Sequence, residues 1–273
     1  MAEGEWFMQY KLVAIDMDGT LLTDDLTVTP STIETIQKAV AKGAVVTIAT
    51  GRMFASAKQY AKQLQLNVPL ITYQGAIVQD MEGTEVLYER PITAAISEQL
   101  VEIATKKGLH FQVYQDDQLY SAVENERLKI YAEKVHVPYS IAPDLKTIIG
   151  KGFTKGLFIE EPEVLDELTI ELREIFGNEV HIAKSRADFL EITHPEANKG
   201  DALLHLAKQL NIHPTEIIGI GDNFNDRELI EQAGLGVAMG NAVDEMKAIA
   251  DYITFSNNDE GVKHVIEKFI LEA

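Results

Sequence analysis

The sequence predicts an α/β protein with a parallel-sheet core and an inserted α+β module. Apolar runs of strand length alternate with helical patterns over about the first 75 residues, and the same alternation returns after about residue 198. Between these halves, β-branched and aromatic runs alternate with helices in a different order. Strands that are apolar throughout are typical of a parallel sheet covered by helices on both faces.

The first half contains three strand-like runs. The apolar run over 11–15 ends abruptly at Asp16, which is typical of a short buried strand. Thr29 and Pro30 provide an N-cap and a first helical turn, and Gly43 stops the helical spacing of apolar residues. The remaining predicted elements are a strand over 44–49, a helix over 53–66 and a strand over 69–73.

The C-terminal half repeats this alternation. Its predicted elements are a helix over 198–210, a strand over 216–220, a helix from 224 through 232, a strand over 236–239, a helix over 243–250, a strand over 252–255 and a closing helix. The middle contains strand-like runs at 111–114, 153–159 and 180–182 and helices at 93–107 and 163–176. These patterns predict a Rossmann-like parallel-sheet core over 1–83 and 189–273, interrupted by an insert over 84–188.

Composition excludes several classes of protein. The 273 residues include 43 acidic and 24 basic side chains, which gives a formal net charge of −19. Such a chain repels nucleic acid and anionic membrane surfaces, so neither is an expected partner. The absence of cysteine excludes disulfide frameworks, zinc ribbons and iron–sulfur clusters, so a metal would have to bind oxygen or imidazole ligands.

The sequence also shows no pattern typical of a membrane span, a signal peptide or an assembly motif. No apolar run approaches the roughly 18 residues that a membrane span requires, and acids occupy the N-terminus where a signal peptide would be basic. A cytoplasmic location is therefore expected. Residues 1–7 are interpreted as an extension without a structural role, with packing of Trp6 and Phe7 as the alternative. No sustained heptad or long apolar edge indicates assembly, so we expect a monomer or a weak homo-oligomer.

Polar side chains follow three of the predicted strands. The carboxyl ends of neighbouring parallel strands form the ligand site of open α/β sheets. Four carboxylates brought together there would be unfavourable without a hard cation. An all-oxygen set suits magnesium, which also accepts substrate phosphate, so we expect a Mg²⁺ site for a phosphorylated ligand. The residues concerned are Asp16, Asp18, Thr50, Arg52, Asp222, Asn225 and Asp226.

The segment Asp16-Met17-Asp18-Gly19-Thr20 is the most specific of these motifs. One carboxylate could attack phosphorus, and a second, two residues later, could protonate the leaving oxygen and then deprotonate water. The glycine allows the tight turn that brings both carboxylates to one ligand. The alternative is an aspartate-rich turn after a strand. A calcium-binding loop fits less well, because its sixth-position glycine and twelfth-position glutamate are missing.

The other motifs are weaker in isolation. Thr50, Gly51 and Arg52 could bind a phosphoryl oxygen at a strand-to-helix junction, although such a segment is more often only a turn and a cap. Lys199 could place its ammonium against a transferring group, but most lysines at helix starts are solvated. The segment 222–226 could equally cap the helix that follows it.

Together, the motifs occur in one order, each at its expected place relative to a strand or helix. This order, Asp-x-Asp-Gly-Thr, Thr-Gly-Arg, Lys and Gly-Asp-x-x-Asn-Asp, resembles the haloacid dehalogenase superfamily of phosphohydrolases over residues 8–273. The long insert resembles the large α/β cap of its Cof-like branch, which includes many sugar-phosphate phosphatases. The resemblance implies a magnesium-dependent phosphatase that hydrolyses phosphomonoesters of small metabolites, among them sugar phosphates. It also implies an aspartyl-phosphate intermediate and a lid role for the cap.

The resemblance further implies a role for each motif residue. Asp16 is expected to be the nucleophile and a metal ligand, Asp18 the general acid and base and a ligand through its carbonyl, and Asp222 the third ligand. Asp226 is expected to orient Lys199 or a metal-bound water. The phosphoryl oxygens are expected to be held by the Met17 N–H, Thr50, Gly51, Lys199 and Asn225, with Arg52 adding positive charge.

Several assignments stay open at this point. Gln74-Gly75 stands where relatives commonly have Asn-Gly after the third strand, so a substrate contact at that position is not predicted. Lys151, Lys155 and Arg186 of the insert are candidate substrate contacts, with solvated surface charge as the alternative. A phosphoglucomutase-like phosphoryl transferase and a catalytically silent phosphometabolite-binding protein are the competing functions.

Overall fold

The computed structural model describes residues 9–135 and 137–272. It divides into two compact units. The core unit comprises the described residues up to Tyr88 and from Asn198 onward, and the insert unit is Glu89–Ala197. Residues 1–7, with Trp6 and Phe7, lie outside the described residues, so the interpretation of this segment stays a prediction.

Short strands and helices alternate along the chain. The strands are β1 (Leu12–Ile15), β2 (Val45–Ile48), β3 (Leu70–Thr72), β4 (Ile77–Gln79), β5 (Val86–Glu89), β6 (Phe111–Gln115), β7 (Gln118–Ser121), β8 (Tyr139–Ile141), β9 (Lys155–Ile159), β10 (His181–Arg186), β11 (Phe189–Thr193), β12 (Ile217–Gly221), β13 (Leu235–Ala238) and β14 (Tyr252–Ile253). The helices are α1 (Pro30–Ala41), α2 (Phe54–Gln63), α3 (Ala94–Lys107), α4 (Glu126–Val135), α5 (Pro162–Phe176), α6 (Lys199–Gln209), α7 (Arg227–Glu231), α8 (Asp244–Ile249) and α9 (Gly261–Ile266). Each predicted strand and helix corresponds to one of these elements.

The core unit is built on a five-stranded sheet in the order β14-β13-β12-β1-β2, in which every pairing is parallel. β1 lies between β12 and β2, with Ile15 opposite Ile220 and Ile48. The carboxyl ends of these three strands therefore lie side by side, which is where open α/β sheets bind ligands. The predicted fold class, an α/β protein with a parallel-sheet core, is confirmed.

Apolar clusters cover both faces of this sheet. Successive residues of β1 point to opposite faces, so Val13 and Ile15 belong to one cluster and Leu12 and Ala14 to the other. Burial of a leucine or isoleucine side chain contributes roughly 1.5–3 kcal/mol. This packing fixes β1, and with it the position of the residue that follows, Asp16.

β3 runs parallel to the end of β2, as predicted, but its longer pairing is with β4, a strand that was not predicted. It pairs antiparallel with β4, with Ile71 opposite Val78, because the chain reverses directly after β3. β3, β4 and β5 form a separate three-stranded sheet, and one parallel bridge, from Ala49 to Ile71, joins it to the end of β2. The Thr50 N–H donates to the Ile71 carbonyl at 2.9 Å. The turn after β3 therefore lies next to the loop after β2.

The insert unit contains a six-stranded sheet in the order β10-β11-β9-β6-β7-β8. Its pairings are antiparallel except that of β7 with β8, which is parallel. The apolar core of this unit includes Leu100 of α3, Leu168 of α5 and Phe158 of β9. Helices packed on a largely antiparallel sheet give this unit an α+β organisation.

The unit boundaries fall later in the chain than the predicted positions 83/84 and 188/189. β5 lies in the sheet of β3 and β4, so the first boundary follows Tyr88. β11 pairs antiparallel with both β10 and β9, so residues 189–197 belong to the insert unit rather than to the core. The alternating Leu190 and Ile192 favour a strand in either unit, and only the hairpin partner decides between them.

Among the described residues, no helix is both long enough and apolar enough to cross a membrane. The predicted cytoplasmic location, the predicted monomeric or weakly oligomeric state and the lid role of the insert stay predictions.

Candidate active site

Asp16 directly follows β1 and lies at the centre of the candidate site. Its N–H donates to the carbonyl of Ile220 at 3.0 Å, which ties the end of β1 to β12. Only 4% of the residue is exposed. A carboxylate buried to this extent needs charged or hydrogen-bonding partners, because burial of an unpaired charge is costly.

Lys199 supplies such a partner from the first turn of α6. Its side chain is fully buried, and Nζ donates to Asp16 Oδ1 and to Asp226 Oδ1, both at 2.6 Å. Gly200 lets α6 approach its neighbour closely, since a Cβ there would lie 2.4 Å from the carbonyl oxygen of Glu228. These observations exclude a solvated Lys199.

Asp226 is held in place through both of its carboxylate oxygens. Oδ1 accepts from Lys199, and Oδ2 accepts the main-chain N–H groups of Asp222 at 3.0 Å and Asn223 at 3.1 Å. Asp226 is fully buried. A Cβ on Gly221 would lie 2.4 Å from the Asp226 Cβ, so only glycine fits there. Asp226 is therefore a fixed anchor for Lys199.

Asp222 follows β12 and faces the loop after β1. Its Oδ1 accepts from Thr20 Oγ1 at 3.2 Å. Gly19 has a φ of 78°, and a Cβ on it would lie 2.5 Å from Asp222 Oδ2, so both the backbone and the available space require glycine. The structure thus brings Asp16, Asp222 and Asp226 together, with one oxygen of each lying within 4.8 Å of the others.

The loop between Asp16 and Thr20 is a tight turn. The Met17 carbonyl accepts the N–H groups of Thr20 and Leu22 at 3.3 and 2.9 Å, and the Leu21 N–H donates to the Asp16 carbonyl at 3.1 Å. Met17 is fully buried. The turn therefore fixes the main chain that carries the Met17 N–H, which was predicted to bind phosphate.

The cluster carries more negative than positive charge. Burial raises the pKa of Asp16 well above its ordinary value, and Asp226 adds to this, whereas Lys199 opposes it. Burial, followed by Asp226, raises the pKa of Asp222 to about 6. Burial lowers the pKa of Lys199, but Asp16 and Asp226 outweigh it and leave that pKa above its ordinary value. One ammonium thus faces three acidic side chains, an arrangement that is unfavourable unless a proton or a further cation binds.

The free oxygens of the cluster indicate which side chains could hold a metal. Both oxygens of Asp226 accept hydrogen bonds. Asp16 Oδ1 accepts a hydrogen bond from Lys199, and Asp222 Oδ1 accepts one from Thr20. The Oδ2 atoms of Asp16 and Asp222 accept no hydrogen bond from the described residues. Mg²⁺ usually binds one or two carboxylates and keeps several waters. Asp16 and Asp222 therefore fit a magnesium ion, and Asp226 fits a positioning role.

Asp18 and Arg52 form a two-pronged ion pair. Arg52 Nε donates to Asp18 Oδ2 at 2.8 Å, and Nη2 donates to Oδ1 at 2.5 Å. The guanidinium also lies over the Tyr60 ring, 5.4 Å from its centroid. Partial burial lowers the pKa of Arg52, but the Asp18 carboxylate outweighs it and raises that pKa above its ordinary value. The sequence did not predict this pairing of the expected acid–base residue with an expected phosphate ligand.

The loop after β2 places Thr50 and Gly51 beside the turn after β3. Thr50 is buried, its Oγ1 accepts the N–H of Arg52 at 3.1 Å, and its carbonyl accepts the N–H of Gln74 at 3.0 Å. Asn225 reaches the same turn, because its Nδ2 donates to Gln74 Oε1 at 3.0 Å. Gln74 was not a predicted site residue, and the Gln-Gly after the third strand was its only signal in the sequence.

The three basic residues of the insert that are candidate substrate contacts are exposed or paired with an acidic side chain. Lys155 is buried and pairs with Glu191 at 2.8 Å. Arg186 is exposed and pairs with Asp188 at 3.2 Å. Lys151 is exposed. Their surroundings give no indication of a substrate contact, so that role stays a prediction.

Comparison with known proteins assigns this arrangement to a family. A family model of haloacid dehalogenase-like hydrolases matches residues 13–266. The chain belongs to the haloacid dehalogenase-like hydrolases. The match extends over both units and includes every motif that carried the resemblance. The family predicted from the order of those motifs is confirmed.

Relatives of this haloacid dehalogenase-like hydrolase include named phosphatases. The crystal structure of TM0651 from Thermotoga maritima is 38% identical, covers 95% of this chain and 97% of its own, and has a TM-score of 0.88. A Bacillus subtilis protein named 5-amino-6-(5-phospho-D-ribitylamino)uracil phosphatase is 30% identical over 94% of this chain and 97% of its own length. An HMP-PP phosphatase of Serratia proteamaculans is 31% identical over 96% of each chain. The predicted enzyme class, a phosphatase of this family, is confirmed.

Proposed function

We propose that the protein is a magnesium-dependent phosphatase that hydrolyses phosphomonoesters of small metabolites, including sugar phosphates, through an aspartyl-phosphate intermediate. One observation supports this most strongly: the buried Lys199 joins Asp16 to Asp226 in a cluster that also contains Asp222. A carboxylate held against a fixed ammonium, in a cluster that needs a cation, is suited to attack a phosphoryl group whose charge the cations balance.

The first step transfers the phosphoryl group to Asp16. One carboxylate oxygen of Asp16 attacks phosphorus and forms an acyl-phosphate bond, and the bond between phosphorus and the ester oxygen breaks. Asp18 donates a proton to the leaving oxygen. The Lys199 ammonium offsets negative charge on the transferring group, and electrostatic stabilisation of this kind, together with positioning, provides most of the catalysis of phosphoryl transfer.

The second step regenerates Asp16. Asp18, now a carboxylate, takes a proton from a water molecule whose oxygen attacks phosphorus. The acyl-phosphate bond then breaks and inorganic phosphate leaves. In the structure Arg52 binds both carboxylate oxygens of Asp18. Asp18 therefore has to leave Arg52 and take up a proton from solvent before it can protonate the ester oxygen.

Magnesium would be held by the Asp16 and Asp222 carboxylates and the Asp18 main-chain carbonyl, and it would supply positive charge to the phosphoryl oxygens. Asp226 positions Lys199. Lys199 and a bound magnesium ion would provide local positive charge in a chain whose formal net charge is −19, so an acidic protein could still bind phosphate. The proposed phosphate ligands are the Met17 N–H, Thr50, Gly51, Arg52, Lys199 and Asn225.

The proposed substrate class is supported by the relatives. One is named for a substrate with a phosphate on a ribityl group and another for HMP-PP. Both names indicate small phosphorylated compounds, and the first indicates a phosphate on a sugar-alcohol chain. A panel of sugar phosphates, nucleotides and vitamin phosphates therefore covers the expected substrates.

Release of inorganic phosphate from this panel, with Mg²⁺ or with EDTA, tests the proposal. We expect Mg²⁺-dependent release by the wild type and a loss of about 10⁴-fold or more in Asp16→Asn, because the nucleophile is missing. Undiminished turnover in the variant would overturn the role of Asp16. Phosphoryl exchange between sugar phosphates without net release would indicate a mutase, and no turnover of any compound would indicate a binding protein.

A further inference from the structure

We propose that Gln74 is a positioning residue of the active site that holds Asn225 in place beside the Thr50–Gly51 loop. The inference rests on the proposed function, because that function assigns Asn225 to the phosphoryl group. It gives a role to Gln74, which the sequence did not predict as a site residue.

The backbone of Gln74 is held in an unfavourable conformation. Tyr73 and Gln74 have positive φ values of 53° and 60°, which residues other than glycine rarely adopt. The Tyr73 N–H donates to the Arg52 carbonyl and the Gln74 N–H donates to the Thr50 carbonyl, both at 3.0 Å. Strain of this kind persists only where surrounding contacts impose it, and it is concentrated at functional sites.

Gly75 holds the same turn against the start of α6. Its φ is 88°, and a Cβ on it would lie 2.1 Å from the carbonyl oxygen of Asn198. Asn198 directly precedes Lys199, the buried lysine of the cluster. The turn is therefore fixed between the loop that carries Thr50 and the helix start that carries Lys199.

The side chain of Gln74 lies across Gly51 and ends at Asn225. A Cβ on Gly51 would lie 2.3 Å from Gln74 Nε2, so the missing side chain of Gly51 makes room for the amide. Gln74 Oε1 accepts from Asn225 Nδ2 at 3.0 Å. Asn225 is exposed, and within residues 9–135 and 137–272 this is the hydrogen bond that orients its side chain.

The length of the glutamine side chain matters for this contact. Asparagine is shorter by one methylene group, about 1.5 Å, which would stretch the 3.0 Å contact with Asn225 beyond hydrogen-bond range. Asparagine also adopts a positive φ more readily than glutamine does. Glutamine at position 74 is thus the poorer choice for the backbone and the better choice for reaching Asn225, which points to function rather than stability.

Two substitutions at this position and one matched control test the inference. Gln74→Asn keeps the amide but shortens its reach, and Gln74→Met keeps the length but cannot accept a hydrogen bond from Asn225. Gln65→Asn is the control, because Gln65 is exposed, has a φ of 58° and follows α2 outside the site. The two variants at position 74 share only the loss of the contact with Asn225.

We expect both variants at position 74 to lower kcat/KM by about tenfold, because a misplaced ligand weakens binding of the transferring group. The affinity for inorganic phosphate, measured by calorimetry with Mg²⁺ present, should fall by a similar factor. Gln74→Asn should leave Tm unchanged or raise it, and Gln65→Asn should change neither kcat/KM nor phosphate affinity. In an Asn225→Ala background, Gln74→Asn should have no further effect, because Gln74 acts through Asn225.

Wild-type kcat/KM and phosphate affinity in both variants would overturn the inference and leave the proposed function intact. A Gln74→Asn effect that multiplies with that of Asn225→Ala would also overturn it. If the wild type binds phosphate but hydrolyses no ester, the proposed function fails, and the phosphate affinities of the same variants still decide the role of Gln74.

Discussion

Two buried lysines, one in each unit, have different electrostatic surroundings. Lys155 of the insert pairs with one carboxylate, that of Glu191, at 2.8 Å. Lys199 of the core contacts two aspartates at 2.6 Å each, and a third aspartate belongs to the same cluster. The pair in the insert is therefore neutral, whereas the cluster in the core has surplus negative charge.

This difference shows how a functional charge cluster can be distinguished from a structural one. A buried pair of opposite charges roughly balances its desolvation cost and needs no further ligand. A buried cluster with unbalanced charge is unfavourable by itself and is typical of a site that binds a charged ligand. We therefore expect the core cluster to respond to Mg²⁺ and phosphate, and the insert pair to respond to neither.

Among the changes that distinguish the two lysines, the largest expected effect is that of Lys199→Met. The substitution leaves two buried carboxylates without their partner, so we expect a loss of about 3–5 kcal/mol in the free energy of unfolding. In the proposed reaction it also removes a cation from the transferring group, so kcat should fall by roughly 10³-fold. Denaturant unfolding and phosphate release measure the two effects.

Lys155→Met is the matched control for this prediction. It also leaves a carboxylate, that of Glu191, without its partner, so it should lower stability. It should change kcat little, because the Lys155 ammonium is already paired with Glu191; a large loss of kcat would instead support the predicted substrate contact. An equal loss of kcat in the two variants would contradict the distinction between the clusters.

The second largest expected effect is that Asp222→Asn loses most of the stabilisation that Mg²⁺ gives the wild type. At pH 7 and about 100 times its Kd, Mg²⁺ should stabilise the wild type by about 2.7 kcal/mol, because it binds only the folded state. Asp222→Asn should be stabilised much less, because it lacks one of the two free carboxylates. Urea unfolding with and without Mg²⁺ measures this difference. The same response in both proteins would show that Asp222 is not a ligand.

Asp222→Asn should also change how the stability of the metal-free protein depends on pH. The pKa of Asp222 is about 6 in the folded state, above the ordinary value of 3.8. Its contribution to stability is therefore present at low pH and is lost as the pH rises through about 6. The wild type should lose stability relative to Asp222→Asn between about pH 4 and pH 7. A constant difference between the two proteins over this range would contradict the raised pKa.

The stability of the insert should depend on pH less strongly than that of the core and in the opposite direction. Burial lowers the pKa of His110 from its ordinary value of 6.5, and Nδ1 of its ring lies 2.9 Å from Asn125 Nδ2, which suits a neutral imidazole that accepts a hydrogen bond. The unfolded chain takes up a proton at this position near pH 6.5, whereas the folded insert does so only at lower pH. The insert therefore loses stability as the pH falls below about 6.5.

His110→Gln should reduce this slope, because glutamine does not titrate. Amide hydrogen exchange of insert peptides at about pH 5.5 and pH 7.5 measures the stability of this unit in the full chain. An identical slope in the variant would mean that His110 is protonated in the folded insert as readily as in the unfolded chain.

Local patterns predicted most of the core unit and much of the candidate site. Asp16 and Asp222 each end an apolar run, and the carboxyl ends of neighbouring parallel strands lie together whatever the loops contain. Asp226 follows the same strand as Asp222, and the order of the motifs added Lys199. The structure confirms the fold class and brings these four residues together, while their catalytic roles stay proposals.

The features that could not be predicted depend on side-chain reach and strand pairing. The Asp18–Arg52 contact joins residues that are 34 positions apart in the sequence, and the Gln74–Asn225 contact joins residues that are 151 positions apart. Local sequence periodicity does not predict contacts over such separations. The boundary near residue 189 depends on the hairpin of β10 and β11, whose alternating pattern fits a strand in either unit. The position of the charge cluster was thus readable from the sequence, whereas the contacts that tune it were not.

Phosphorylation of Asp16 is the central claim, and trapping the acyl phosphate tests it most directly. Protein, Mg²⁺ and a phosphomonoester that it hydrolyses are mixed, quenched in acid within one turnover, digested and analysed by mass spectrometry. We predict a phosphoryl group on the peptide that contains Asp16 in the wild type and none in Asp16→Asn. With an aryl phosphate, whose leaving group needs no proton from Asp18, we predict more of it in Asp18→Asn, which cannot deprotonate the attacking water. Phosphate release at the normal rate, with no phosphoryl group on Asp16 in either the wild type or Asp18→Asn, would contradict the proposed mechanism.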